Sequence, residues 1–145
     1  MAAVDVLTEV LINRPVHEVA EFAADPSNAP QWYANIESVS WQTPPPITVG
    51  SRLDFVAHFL GRKLVYTYEI TEFAVNERLV METADGPFPM RTTYTWSFAG
   101  DQTRMTLRNQ GEQSGFASVG APLLVASMRR ANRQDLQNLK RILER

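Results

Sequence analysis

The spacing of apolar residues changes along the chain, and the changes mark out its elements. Val4 to Ile12 alternates loosely and is rich in β-branched residues, which predicts a strand. Asn13-Arg14-Pro15-Val16 then starts a helix, with Pro15 at the first helical position and Val16, Val19, Ala20, Phe22 and Ala23 on its buried side. Asp25-Pro26 stops it and caps a second short helix over Ser27 to Tyr33.

From Glu37 the period is two. Glu37 to Gln42 predicts a strand, and the proline-rich run Thr43 to Gly50 a loop, because proline cannot donate to a ladder. In Arg52 to Leu60, Leu53, Phe55, Ala57 and Phe59 share one face and Arg52, Asp54, Val56 and His58 the other. Gly61-Arg62 reads as a tight hairpin turn. Leu64, Tyr66, Tyr68 and Ile70 share the next apolar face, followed by a turn at Asn76-Glu77 and a strand from Leu79 to Thr83. After the Asp85 to Pro89 turn, Met90, Thr92, Tyr94, Trp96 and Phe98 alternate with Arg91, Thr93, Thr95 and Ser97. Gly100-Asp101 turns the chain into a last strand, Thr103 to Glu112, and the glycine-rich run Gln113 to Pro122 breaks the pattern.

The final 22 residues return to a period of 3.6. On a wheel of 100° per residue, Leu124, Val125, Met128, Ala131, Leu136, Leu139, Ile142 and Leu143 fall within an arc of about 140°. Arg129, Arg130, Arg133, Gln137, Lys140, Arg141 and Glu144 fall opposite. Asn132 and Asp135 interrupt the apolar arc and so face inward. Polar groups aimed at the buried side of a helix are either satisfied locally or line a cavity. Short turns between successive strands imply antiparallel pairing. A helix about 33 Å long is the natural cover for the aromatic sheet face.

Composition narrows the classes. A chain of 145 residues fits one domain, residues 1–145, with a substantial core. With 44% hydrophobic and 21% charged residues it reads as globular. A net charge of −2 supplies no global attraction for nucleic acid, and the basic residues near the C-terminus read first as a solvated helix face. There is no cysteine, which removes disulfides, thiol catalysis and thiolate metal sites. No apolar run approaches the roughly 20 residues of a spanning helix, so no stable membrane insertion is expected. No basic segment followed by an apolar one opens the chain, so a cytoplasmic protein is the expectation. No nucleophile elbow, P-loop or dinucleotide fingerprint is present, and no cofactor is called for.

The opening strand with Ile12-Asn13-Arg14-Pro15-Val16-His17-Glu18-Val19, then Ala24-Asp25-Pro26 and Trp32, form an ordered set with later segments. These are Val49-Gly50-Ser51-Arg52, Ile70-Thr71-Glu72-Phe73, Asn76-Glu77-Arg78-Leu79 and the run from Asp135 to Glu144. In this order and spacing the chain resembles the START/Bet v 1-like (SRPBCC) superfamily of polyketide cyclase/dehydrase and lipid transport-type proteins, over nearly its whole length. The resemblance implies an α+β helix-grip fold: a seven-stranded curved antiparallel sheet around a long C-terminal helix, with two short helices between strands 1 and 2. It also implies an apolar cavity for a hydrophobic small molecule or lipid. The fold hosts carriers, receptors and cyclases alike, so it does not name the chemistry.

Expected cavity-lining residues are Phe55, Phe59, Tyr66, Tyr68, Met90, Thr92, Tyr94, Trp96, Met128, Asn132 and Asp135. Asp135 is also a candidate acid or base; its bland alternative is a pairing with a sheet arginine or tyrosine. Phe88, Phe116 and Val119 are candidates for a gate at the cavity mouth, against the alternative of an ordinary connector. His17 reads as a solvated residue of a helical first turn, and Asp54 and His58 are about 13 Å apart along one strand, so no metal site is expected. Three functions remain open. They are carriage of a hydrophobic ligand, cyclase/dehydrase-type catalysis on an aromatic or polyketide substrate, and a co-chaperone-like interaction module using the basic helix face. The sequence leaves oligomeric state and any catalytic residue unassigned.

Overall fold

The computed structural model describes residues 3–59, 61–85, 89–112 and 121–145. The elements are β1 (Ala3–Ile12), α1 (Val16–Ala24), a 3-10 turn (Pro26–Asn28), α2 (Ala29–Trp32) and β2 (Ile36–Trp41). Then come β3 (Arg52–Phe59), β4 (Arg62–Ala74), β5 (Arg78–Asp85), β6 (Met90–Ala99), β7 (Gln102–Glu112) and α3 (Ala121–Leu143). The seven strands form one antiparallel sheet in the order β1-β7-β6-β5-β4-β3-β2. Chain neighbours are sheet neighbours except β1, which crosses to pair with β7. Register shifts at Ile36/Ser38, Thr67/Tyr68 and Ile70/Glu72 bend the β2–β5 half, as bulges do. This is the helix-grip architecture.

Local chemistry explains the short helices. Pro15 stands just outside α1 as its cap, with φ −62° and ψ 152°, and Val16 is the first helical residue, one position later than the spacing suggested. Val16, Val19, Ala20, Ala23 and Ala24 are buried at helical spacing. Asp25 then accepts the Ser27 N–H at 2.9 Å and starts the 3-10 turn that feeds α2. The predicted second helix is thus split in two. The β3–β4 hairpin also turns one residue earlier than Gly61-Arg62, because Phe59 and Arg62 face each other across the ladder. Gly61 has φ +76°, the left-handed conformation glycine adopts without strain.

Helix α3 is 23 residues long, about 34 Å. It buries Met128, Asn132, Asp135, Leu136 and Leu139 against the concave side of the sheet. Leu136 and Leu139 join a core built from α1, α2 and the sheet, which includes Trp32, Leu53, Ile70, Leu79 and Met105. Its C-terminal end is tied to the β1 end: Lys140 Nζ donates to Leu11 O and the Asn13 N–H donates to Glu144 Oε2, both at 2.7 Å. Phe98, expected on the buried face, is 80% exposed. β5 stops at Arg78 opposite Thr95, so Phe98 extends past the end of the neighbouring strand.

Candidate functional site

Between α3 and the sheet lies a cavity of about 150 Å³. Its apolar wall comes from Ile36, Phe55, Ala57, Leu64, Met81, Met90 and Met128. Polar groups on its wall come from Tyr33, Asn35, Tyr66, Tyr68, Thr92, Tyr94, Asn109, Asn132 and Asp135. Period-two alternation on β3, β4 and β6 brings the strand residues to one face, and the 3.6 period brings Met128, Asn132 and Asp135 to the facing stripe of α3.

Asp135 is 2% exposed. Its Oδ1 accepts the Ala34 N–H at 3.0 Å, and it makes no ion pair among the described residues. Neither a sheet arginine nor a tyrosine partners it, as the bland alternative supposed; a backbone amide just past α2 does. Burial pushes its carboxyl up to about 6, against a smaller lowering by the Ala34 hydrogen bond. Three positions further on, Asn138 Nδ2 donates to Trp32 O at 3.2 Å. Two α3 side chains thus hold the last carbonyl of α2, that of Trp32, and the amide of Ala34, on either side of Tyr33.

That anchoring places Tyr33, whose hydroxyl lies 2.6 Å from the Tyr94 hydroxyl. Either oxygen can be the donor, so one hydroxyl hydrogen bridges the pair and the second is left for a third acceptor. Both phenols are raised above their ordinary range, first by burial. Tyr68 is raised by the same cause, and burial pushes Tyr66 up to about 12. All four tyrosines therefore stay neutral over the physiological range. Thr92 Oγ1 donates to Asn109 Oδ1 at 2.8 Å.

Asn132 is 6% exposed, and its Nδ2 has no hydrogen-bond partner among the described residues. His58 stands at the cavity rim, exposed, with Nε2 3.0 Å from Glu37 Oε2. Among the described residues no three His, Asp or Glu side chains converge on a point that would hold a metal ion. No helix there is long and apolar enough to cross a membrane. A separate cleft of about 580 Å³ lies beside α1, lined in part by His17, Glu21, Trp41, Pro46 and Phe73. It gathers no buried unpartnered polar group among the described residues.

Of the expected lining residues, Phe55, Tyr66, Tyr68, Met90, Thr92, Tyr94, Met128, Asn132 and Asp135 border the cavity. Trp96 does not: it is 4% exposed and packs edge-on near Tyr94, 6.1 Å between ring centroids, deeper in the core. The side chain of Phe59, and Phe88, Phe116 and Val119, lie outside the described residues. The alternation gave no reason to pick Tyr33, which closes a four-residue helix with no period of its own. Met81 sits in a strand predicted without a face, and Asn109 in a strand whose faces were not separated.

With this geometry in place, the chain can be set beside known proteins. Residues 3–144 match the family model described as polyketide cyclase / dehydrase and lipid transport, and the chain belongs to that family. No curated protein matches it in sequence. Among solved structures it is similar to a START superfamily protein from Mycobacterium smegmatis, with 16% identity, a TM-score of 0.82 and 97% of each chain covered. It is also similar to the Zhui aromatase/cyclase of a Streptomyces species, with 15% identity, a TM-score of 0.82, and 99% of this chain and 95% of that one covered. A Thermus thermophilus protein matches at 20% identity, a TM-score of 0.80 and 96% of each chain. At these identities the likeness is one of fold.

Proposed function

We propose that the protein binds a hydrophobic small molecule in the cavity between the sheet and α3. The observation that carries this reading is the cavity itself. It is a space of about 150 Å³, walled by phenylalanine, leucine and three methionine side chains, with hydroxyl, amide and carboxyl groups set among them from the sheet, the segment after α2 and α3. Small-molecule sites have that composition: an apolar lining with few polar groups that fix orientation. Family membership supports it as well, since the family's description spans lipid transport and cyclase chemistry. Native mass spectrometry of the purified protein tests it. A co-purifying apolar compound, released on denaturation, is expected. A chain that carries nothing and shows no thermal shift with any aromatic or acyl compound contradicts it.

Cyclase/dehydrase-type catalysis is the second reading, and the raised carboxyl of Asp135 favours it. A buried carboxyl near neutrality, beside neutral tyrosines, is suited to moving a proton to or from a bound substrate. The similar aromatase/cyclase structure fits the same reading. An Asp135→Asn variant that still binds ligand but loses turnover supports catalysis; retained turnover removes Asp135 as the acid or base.

A further inference from the structure

Granted that the cavity takes a small molecule, its polar wall restricts which kind. We propose that the site selects an uncharged ligand with a single ring and a carbonyl oxygen, and that this oxygen accepts a hydrogen bond from Asn132 Nδ2. Three observations converge on it.

The first is the amide. Asn132 is 6% exposed, borders the cavity, and has a donor with no acceptor among the described residues. A buried donor without an acceptor is costly, and an acceptor carried in by a ligand removes that cost only for ligands that have one. Sites of this design discriminate strongly between a ligand with the matching group and its hydrocarbon analogue.

The second is charge. Among the described residues, Asp135, one turn of α3 along, is the only carboxylate on the wall, and the only cationic candidate is His58. His58 is exposed at the rim and already faces Glu37. A carboxylate or phosphate inside would meet Asp135 with no counter-charge, so fatty acids and phospholipid headgroups are poor guests at this end.

The third is size. A cavity near 150 Å³ is the volume that takes one benzene ring. Phe55 and Tyr68, at 86° to one another with centroids 5.4 Å apart, supply an edge-and-face surface for such a ring.

Acetophenone and ethylbenzene share the phenyl ring and a two-carbon side chain, and only the ketone, with its added oxygen, accepts a hydrogen bond. Calorimetric titration of both into the wild type and an Asn132→Leu variant reads the contact. The ratio of ketone to hydrocarbon affinity is expected to fall about tenfold in the variant. The unliganded variant is expected to melt no lower than the wild type, since an unmatched donor has been removed. An unchanged ratio, with ethylbenzene still bound, overturns the carbonyl assignment and leaves the binding function standing. Binding of neither compound to the wild type overturns both. Benzoate bound at pH 8 as tightly as acetophenone overturns the requirement for an uncharged ligand. Should the leucine variant fail to fold, carbonyl-labelled acetophenone tests the wild type directly. A bound carbonyl 13C signal well downfield of its position in alkane solvent is expected, and the alkane value itself overturns the bond.

Discussion

The Tyr33 and Tyr94 hydroxyls lie 2.6 Å apart across 61 positions of sequence, joining the end of α2 to the middle of β6 at the cavity wall. Because the two share one hydrogen bond, removing either hydroxyl leaves the other without it. Tyr33→Phe and Tyr94→Phe should each destabilise the protein by about 1 kcal/mol. The double variant should lose less than the sum, by a coupling of about 1 kcal/mol. Urea unfolding of the four proteins measures this, and strict additivity would show that the hydroxyls do not interact.

Asp135 makes stability depend on pH in an unusual direction. Its folded value of about 6 lies above the ordinary 3.8, so the native state holds a proton that the unfolded chain releases. Its contribution is complete below pH 3.8 and lost once pH has risen past about 6, a change on the order of 3 kcal/mol. Asparagine keeps an oxygen for the Ala34 N–H and carries no charge. Asp135→Asn should therefore be more stable than the wild type at pH 8, with the gain shrinking as pH falls from 6 toward 4. Thermal melts across that range decide it; a variant less stable at pH 8 would mean the carboxylate has a stabilising partner.

The two ends of the apolar pattern should behave differently. Leu139 is fully buried in the core between α3 and the sheet, and Leu139→Ala should cost about 2–5 kcal/mol. Phe98 is 80% exposed, and Phe98→Ser should stay within about 0.5 kcal/mol of the wild type. Chemical denaturation of the pair checks both; comparable losses would place Phe98 in the core after all.

That contrast also shows what the sequence made legible. Alternation through β3, β4 and β6 put Phe55, Tyr66, Tyr68, Met90, Thr92 and Tyr94 on one face, because side-chain direction in a strand follows parity alone. The helical arc put Asn132 and Asp135 inward for the same reason. Parity carries no information about depth along a strand, so Trp96 and Phe98 looked equivalent to Tyr94. One lies in the core below the cavity and the other beyond the end of β5. Tyr33 was illegible because a four-residue helix has no repeat, and its position depends on contacts from α3 a hundred residues away. The partner of Asp135 was illegible because it is a backbone amide, which every residue but proline possesses.

Methionine methyl groups report on the cavity most directly. Met81, Met90 and Met128 line it, whereas Met105 is fully buried elsewhere in the core. In protein labelled with 13C at the methionine methyls, titration with acetophenone should shift Met81, Met90 and Met128 along one saturable curve and leave Met105 in place. No movement of those three signals up to the solubility limit of the ligand, or movement at Met105 alone, would contradict a binding site between the sheet and α3.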